Sequence, residues 1–218
     1  MTRFKNHLSL VSKLDGVQSF IVPLSTCKDF CKYYDLHVCY WLNNGHKDFK
    51  NPRLMYIRNL RLMRSNNFVK VLSSEILRAN CRKFRFFSGG QTETTEQLKN
   101  ILKICKICHM TKFAIMINAD WQLQELIKSG YEIPKNANLL LSNYELNSKT
   151  PDFIKNHLIK YNIGVTQTTL KNKLATCQAS TVKNGHCGNC EKCYYDKDIS
   201  FKVHGRYNKE RILDYEER

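Results

Sequence analysis

The chain has 218 residues, with 35 Lys and Arg against 19 Asp and Glu for a net charge of +16, and it contains only 9 Gly and 4 Pro. Its 42% hydrophobic content suits one domain, or one domain with a small appendage, and excludes wholesale disorder, collagen-like repeats and a disulfide-stapled miniprotein. No run approaches the roughly 18–20 apolar residues of a membrane helix, and the start lacks a compact apolar signal segment. A soluble, cytoplasmic protein with no membrane partner is therefore expected.

The predicted elements alternate along the chain. Residues 19–22 (SFIV) read as a strand leading into a loop that carries Cys27, Cys31 and Cys39 with spacing Cys-x3-Cys-x7-Cys. Residues 52–64 and 68–79 read as helices. On the first, Arg53, Arg58, Arg61 and Arg64 share one face, opposite Met55, Tyr56, Leu60, Leu62 and Met63. Residues 84–88 (FRFFS) form an aromatic strand ending in Gly89-Gly90. Thr94 and Thr95 then start a helix whose apolar positions Leu98, Ile101, Leu102, Cys105 and Cys108 recur at helical spacing. Both of those cysteines therefore read as core residues, and the isolated Cys81 as structural.

Residues 113–117 (FAIMI) are a continuous apolar strand, and Asp120 is the expected cap of a helix carrying Leu123, Leu126 and Ile127 and closed by Gly130. Residues 139–141 form the next strand, ending in Ser142 and Asn143. Pro151 opens a helix with Ile154, Leu158 and Tyr161 on one face, residues 163–165 form a further strand, and 199–203 is a strand-like run before His204. Wholly apolar strands alternating with amphipathic helices imply parallel β/α units. The strands are too few for a closed eight-stranded barrel. The expected fold is α/β: a partial (half) parallel β/α barrel over residues 1–170, followed by a cysteine-rich metal-binding tail over 171–218.

In such folds ligands bind at the C-terminal ends of the strands. Cys27, Cys31, Cys39, the segment Ser88-Gly89-Gly90-Gln91, Asn118, Asp120 and Ser142 all fall at that rim. Ten cysteines without a secretion signal point to metal or redox chemistry rather than disulfides. The tail adds Cys177-x9-Cys187-x2-Cys190-x2-Cys193, with Gly185 and Gly188 permitting the tight bends that wrapping an ion requires. Four thiolates suit either tetrahedral zinc or a second 4Fe–4S cluster, and His186 is a substitute ligand. The positive charge, concentrated in part on the arginine helix with Lys47 and Lys50 nearby, suits a nucleotide or nucleic-acid partner.

The three-cysteine loop after the first strand, followed by Phe87-Ser88-Gly89-Gly90-Gln91-Thr92 after the second, resembles the core of the radical S-adenosylmethionine superfamily. The resemblance implies a 4Fe–4S cluster on Cys27, Cys31 and Cys39. It also implies S-adenosylmethionine contacted by Gly89, Gly90 and Gln91, with Asn118 and Ser142 placed for its ribose or carboxylate, and reductive cleavage of the sulfonium. The third cysteine spacing is longer than the usual Cys-x3-Cys-x2-Cys, and Gln91 stands where an acidic residue is common. More specifically, Cys39-Tyr40, Arg58-Asn59, Phe87-Ser88-Gly89, the late Cys-x2-Cys-x2-Cys and Phe201-Lys202-Val203-His204 resemble a family of small bacteriophage proteins, which implies a host-cytoplasm location.

Ser88-Gly89-Gly90 with a late cysteine loop is also similar to ATP pyrophosphatase-type enzymes of deazaguanine synthesis. Here, however, Thr92 and Glu93 replace the Asp-Ser of that loop, and Cys27, Cys31 and Cys39 go unexplained. From a different class, a non-catalytic, zinc-stabilised nucleic-acid-binding protein accounts for both cysteine sets and the charge. No residue is assigned to catalysis by sequence.

Overall fold

The computed structural model describes residues 9–10, 17–27, 50–142, 163–169, 176–177, 190–196 and 198–202, together with His157 and Tyr161. Its strands form one sheet in sequential order. They are β1 (Ser9–Leu10), β2 (Gln18–Phe20), β3 (Lys83–Phe86), β4 (Lys112–Ile117), β5 (Ala137–Ser142), β6 (Gly164–Thr169) and β7 (Asp198–Lys202). β1 is antiparallel to β2. From β2 to β7 every neighbouring pair is parallel, so six strands run one way in chain order, as in a curled half barrel.

Between these strands lie α1 (Lys50–Met63), α2 (Phe68–Arg78), α3 (Thr95–Ile107) and α4 (Asp120–Lys128), with a short α5 (Lys192–Tyr195) just before β7. The expected α/β class and partial parallel barrel are found. Two strands go beyond the five expected with confidence in the chain's alternation: β1, and β7 from the strand-like run. Residues 171–218, set apart above as a tail, supply α5 and β7 to the same sheet.

The two faces of the sheet differ in kind. Phe20, Phe84, Phe86, Phe113, Ile115, Leu139 and Leu141 point into a core shared with Phe68, Leu72 and Ile76 of α2, Leu98, Ile101 and Leu102 of α3, and Leu123 and Leu126 of α4. Register places Phe20 beside Phe86, Phe86 beside Ile115, and Ile115 beside Leu139. The phenylalanines therefore meet across strands: Phe84 packs edge to face on Phe113, and Phe86 stacks on the same ring, both at 6.0 Å. Such pairs add to the area they bury.

The opposite, inner face carries a smaller cluster of Val17, Ala114, Leu140, Ile199, Cys193 and Tyr194. Period-two alternation produces this division. It also turns Arg85, Asn138 and Ser142 inward, because their strand neighbours Phe84, Phe86, Leu139 and Leu141 face the helices.

Helix ends follow local chemistry. Thr94 caps α3 by accepting the Gln97 backbone N–H at 3.2 Å, and the Gln97 carbonyl oxygen accepts the Glu93 N–H at 2.7 Å. The side chains of Thr94 and Gln97 thus bond reciprocally as in a capping box, with the return bond going to Glu93, one residue before the cap. Asp120 is not the cap of α4: Ala119 holds that position without a side-chain bond, and Asp120 occupies the first turn. There its carboxylate meets the positive helix end, while burial raises its pKa above the ordinary value. Gly130, at φ +64°, ends the helix as expected. The helix expected to open at Pro151 lies outside the described residues, apart from His157 and Tyr161, where the Tyr161 N–H donates to the His157 carbonyl at 3.0 Å.

Cys105 and Cys108 are fully buried, matching the core reading. Burial pushes the Cys105 thiol well above its ordinary range and takes Cys81 and Cys108 up to about 11, with a further contribution to Cys108 from Cys81. Cys81 donates to Gln18 Oε1, which ties the approach to β3 to β2.

Asn136 joins three carbonyls at the α3 to β4 connection. Its Nδ2 reaches the oxygens of Cys105, Cys108 and Thr111 at 2.9, 3.1 and 2.9 Å. Replacing it by Ala leaves these acceptors short of a donor and is expected to lower stability by about 1–3 kcal/mol. Urea unfolding checks this; an unchanged midpoint would show that water replaces the amide.

Candidate metal and cofactor site

The C-terminal rim is assembled where the exits of β2 and β3 meet. After β2 the chain makes a short 3-10 turn, Leu24–Cys27, which ends on the buried Cys27. Thr26 closes this turn: its N–H and its hydroxyl both donate to the Pro23 carbonyl, at 3.1 and 2.8 Å. The first of the three expected cluster ligands is therefore placed at the rim. Cys31 and Cys39 lie outside the described residues.

After β3 the chain bends sharply. Phe87 adopts the left-handed conformation at φ +62°, a costly state for a bulky residue. Its N–H nevertheless donates to the Phe20 carbonyl at 3.0 Å, and the Val22 N–H donates to the Gly89 carbonyl at 3.3 Å. Pairing of the two exits thus continues past the bend. Gly90 follows at φ +72°, and a Cβ there would lie 2.4 Å from the Val22 carbonyl oxygen and 2.9 Å from that of Pro23. The resemblance implies that S-adenosylmethionine needs open space beside the backbone of the glycines. At Gly90 that room is occupied by the backbone of the β2 exit, so the need for glycine there arises from chain packing.

Gln91, buried at 1% exposure, binds the cysteine turn twice. Its N–H donates to Thr26 Oγ1 at 3.0 Å, and its Nε2 donates to the Thr26 carbonyl at 3.3 Å. Gln91 and Cys27 are therefore neighbours in space, as the rim placement expects. With its amide nitrogen so used, the Gln91 Oε1 is buried without a hydrogen-bond partner among the described residues. The same holds for Asn118 Oδ1, Ser88 Oγ and Asn59 Oδ1. Asn59, on α1, spends its Nδ2 on the Ile21 carbonyl at 2.8 Å. Buried acceptors of this kind cost about 1–3 kcal/mol each when left unpaired.

Asn118 follows Ile117, whose register partner is Leu141, so it comes level with Ser142, which pairs with Thr166. Asn118, Ser142 and the buried Thr166 thus make a polar row on the inner face. Thr166 is missed by sequence reasoning because its strand reads only as a short apolar run at 163–165.

Thr92 closes the loop on its other side. Its hydroxyl donates to Gln122 Oε1, and Gln122 Nε2 donates to the Thr92 carbonyl at 3.0 Å. Arg64, one of the expected arginine face, forks onto Glu93, with Nε to Oε2 at 2.8 Å. Hydrogen bonding from Arg64 holds the Glu93 carboxyl below its ordinary value of 4.5. The pair's stabilisation is complete above that value and is lost as pH falls through the lowered one. With both side chains at the surface it is small. On α1, which ends just before Arg64, Arg58 and Arg61 are exposed beside Leu54 and Ile57.

The late cysteines lie elsewhere. Cys193 is buried on the inner face, and Cys177 packs against the same cluster. Cys190 stands three residues earlier on the turn and is half-buried. Cys187, His186 and His204 lie outside the described residues. Among the described residues no three His, Cys, Asp or Glu side chains converge as a metal site. No helix among them is long and apolar enough to cross a membrane. No protein-family model, curated protein or solved structure matches the chain.

The close approach at Gly90 has a direct consequence. Gly90→Ala should destabilise by several kcal/mol and loosen the Cys27 turn, because Cβ meets fixed carbonyls. Gly130→Ala, with nothing within 4 Å of its Cβ, should cost only about 1–2 kcal/mol for its left-handed backbone. Paired denaturant titrations check the contrast, and equal losses would contradict it.

Proposed function

We propose that the C-terminal rim of this half barrel is an iron–sulfur site that binds S-adenosylmethionine, and that the chain is a radical S-adenosylmethionine-type protein of bacteriophage origin, acting on a nucleotide or nucleic-acid substrate. The observation that carries this reading is the contact between Gln91 and the Cys27 turn, with the unpaired Gln91 Oε1 beside a cysteine of the early loop. Thiolate from Cys27 fits a cluster ligand, with Cys31 and Cys39 as its sequence partners. When bound, such a cluster and S-adenosylmethionine supply reductive cleavage of the sulfonium.

The chain's own residues would bind and orient. Gln91 Oε1 and Asn118 Oδ1 are acceptors lacking donors, which suits an ammonium or ribose hydroxyl. Gln91 brings no negative charge, so it would recognise an ammonium by hydrogen bonding alone. Ser142 and Thr166 would hold the ligand's polar edge at the inner face. Gly89 contributes through the backbone that sets this loop. The late Cys177, Cys187, Cys190 and Cys193 would hold a second centre, either 4Fe–4S or zinc.

A second reading, a zinc-stabilised nucleic-acid-binding protein without catalysis, is favoured by one observation: the exposed Arg58 and Arg61 on α1 of a +16 chain. Anaerobic purification separates the two. Iron and sulfide in a brown protein support the first reading, and a colourless protein holding only zinc supports the second.

After reconstitution with iron and sulfide, Cys27→Ser should lose iron. Asn118→Ala should keep it while weakening S-adenosylmethionine about 10- to 100-fold, the equivalent of one hydrogen bond to a charged group. Dithionite with S-adenosylmethionine should then release 5′-deoxyadenosine. A reducible cluster that neither binds nor cleaves S-adenosylmethionine would remove the enzymatic reading.

A further inference from the structure

The solvent side of α1 mixes guanidinium and aliphatic groups. Leu54 and Ile57 are 58% and 36% exposed, and Arg58 and Arg61 are exposed with them. Spaced i, i+3, i+4 and i+7, the four form one stripe along the helix. Asn59 and Met63 lie on the opposite side and are buried. Asn59 donates its Nδ2 to the Ile21 carbonyl at 2.8 Å, so α1 is fastened to the exit of β2 by its buried side and offers the stripe outward. Arg64 is engaged by Glu93, whereas the ion pairs among the described residues leave Arg58 and Arg61 unused. Residues 50–74 hold six Lys and Arg and no Asp or Glu.

We infer that this stripe docks a single-stranded polynucleotide, with phosphates on Arg58 and Arg61 and base faces against Leu54 and Ile57. The inference narrows the substrate class of the proposed function and rests on its nucleic-acid part, not on its iron–sulfur chemistry. Charge complementarity selects the occupant. An acid-free stretch on a +16 chain attracts a polyanion, and the guanidinium fork matches phosphate oxygens. The aliphatic side chains in the same stripe call for apolar surface between those charges. A duplex stacks its base faces inside, whereas a single strand presents them. From Leu54 to Arg61 the stripe covers about 10 Å of helix axis. Charged and apolar contacts therefore follow one another along it, as phosphates and bases do along a strand. Held through Asn59, α1 keeps such a strand about one helix diameter, ~10 Å, from the β2 exit.

The test is fluorescence anisotropy on the full chain, purified anaerobically, with labelled oligodeoxythymidine and oligouridine of about 20 nucleotides. Wild-type protein should bind these strands more tightly than a duplex of equal length, and less tightly as salt rises. Arg58→Gln with Arg61→Gln should weaken binding about 10-fold and lower the salt slope by about 1.4, two phosphates at ~0.7 each. Leu54→Ser with Ile57→Ser should weaken it about 10-fold while leaving the slope unchanged. Arg82→Gln with Lys106→Gln removes the same charge from exposed positions at the other end of the sheet, and should change affinity less than about twofold. Cys27→Ser should bind the strands as wild type does.

Equal weakening by the two charge-removing pairs would overturn the inference, since net charge alone would then account for binding. So would tighter binding of the duplex. Displacement of the strand by polyglutamate as readily as by unlabelled strand would overturn it in favour of an acidic protein, and equal displacement by a nucleoside triphosphate in favour of a mononucleotide. Strand binding that persists in protein unable to bind or cleave S-adenosylmethionine would leave this inference standing while the enzymatic reading falls.

Discussion

The exits of β2 and β3 approach so closely that no side chain fits between them, and the rim depends on that approach. Gly90 faces the Val22 and Pro23 carbonyls across a gap too small for a Cβ. To bring it there, Phe87 accepts a left-handed backbone. Its cost is offset by the buried ring, which contacts Phe86 at 6.0 Å, and by the bond from its N–H to Phe20. With the two exits pressed together, Gln91 bonds twice to the Thr26 turn. Cys27 is thereby fixed beside a glutamine whose oxygen is left over. Strain, close approach and unpaired acceptor form one sequence of causes rather than three separate oddities.

The remainder of the sheet separates cohesion from recognition. The helix-covered face is apolar and rich in aromatic contacts, so it supplies the hydrophobic stabilisation that outweighs chain entropy. The inner face holds Arg85, Asn138, Ser142 and Thr166, polar groups that a core built for stability alone would exclude. Each needs a partner. For Arg85 and Asn138 the partner is the cysteine turn. For Asn118 Oδ1, at the rim end of the same face, the described residues provide none. The inner face is therefore filled toward the N-terminal ends of the strands and chemically unfinished toward their C-terminal ends, the end where parallel α/β folds bind ligands.

Much of this was legible in the sequence, for definite reasons. Runs such as FAIMI and the spacing of Leu98, Ile101, Leu102 and Cys105 are strong signals, because burial on both sides of a strand or on one face of a helix leaves few alternatives. The order of motifs placed Cys27 and Gln91 on one rim, and Gln91 bonds to Thr26 in the turn that ends on Cys27. What was not legible depends on contacts between distant segments. Ser9–Leu10 is too short to show a pattern and becomes a strand only by pairing with Gln18 and Ser19. Asn138 sits in the apolar run NLLL, and its role exists only because residues 193–196 fold back onto it. The conformation of Phe87 follows from the packing at Gly90, which no local propensity foretells. The Asp120 cap failed for a smaller reason: the helix begins at Asp120 itself, which leaves Ala119 at the cap.

The two cysteine sets occupy different depths of one architecture, and this bears on what each can do. Cys193 is level with Asn138, whereas the rim begins at Ser142, four residues further along β5, or about 13 Å at the rise of a strand. The turn carrying Cys193 is held against the sheet by Lys83, Arg85 and Asn138, and on the proposed reading Cys193 would be a ligand there. Its environment is that of a structural centre, whose binding is coupled to folding. Cys27 ends its turn at the rim, beside acceptors with no donor among the described residues. On the proposed reading the binding energy of an incoming molecule would be spent on completing hydrogen bonds the fold has left open. A chain that kept the late metal but lost the Gln91 to Thr26 contact would on this view retain its sheet and lose its binding site. The reverse loss would undo the inner face first, and the rim with it.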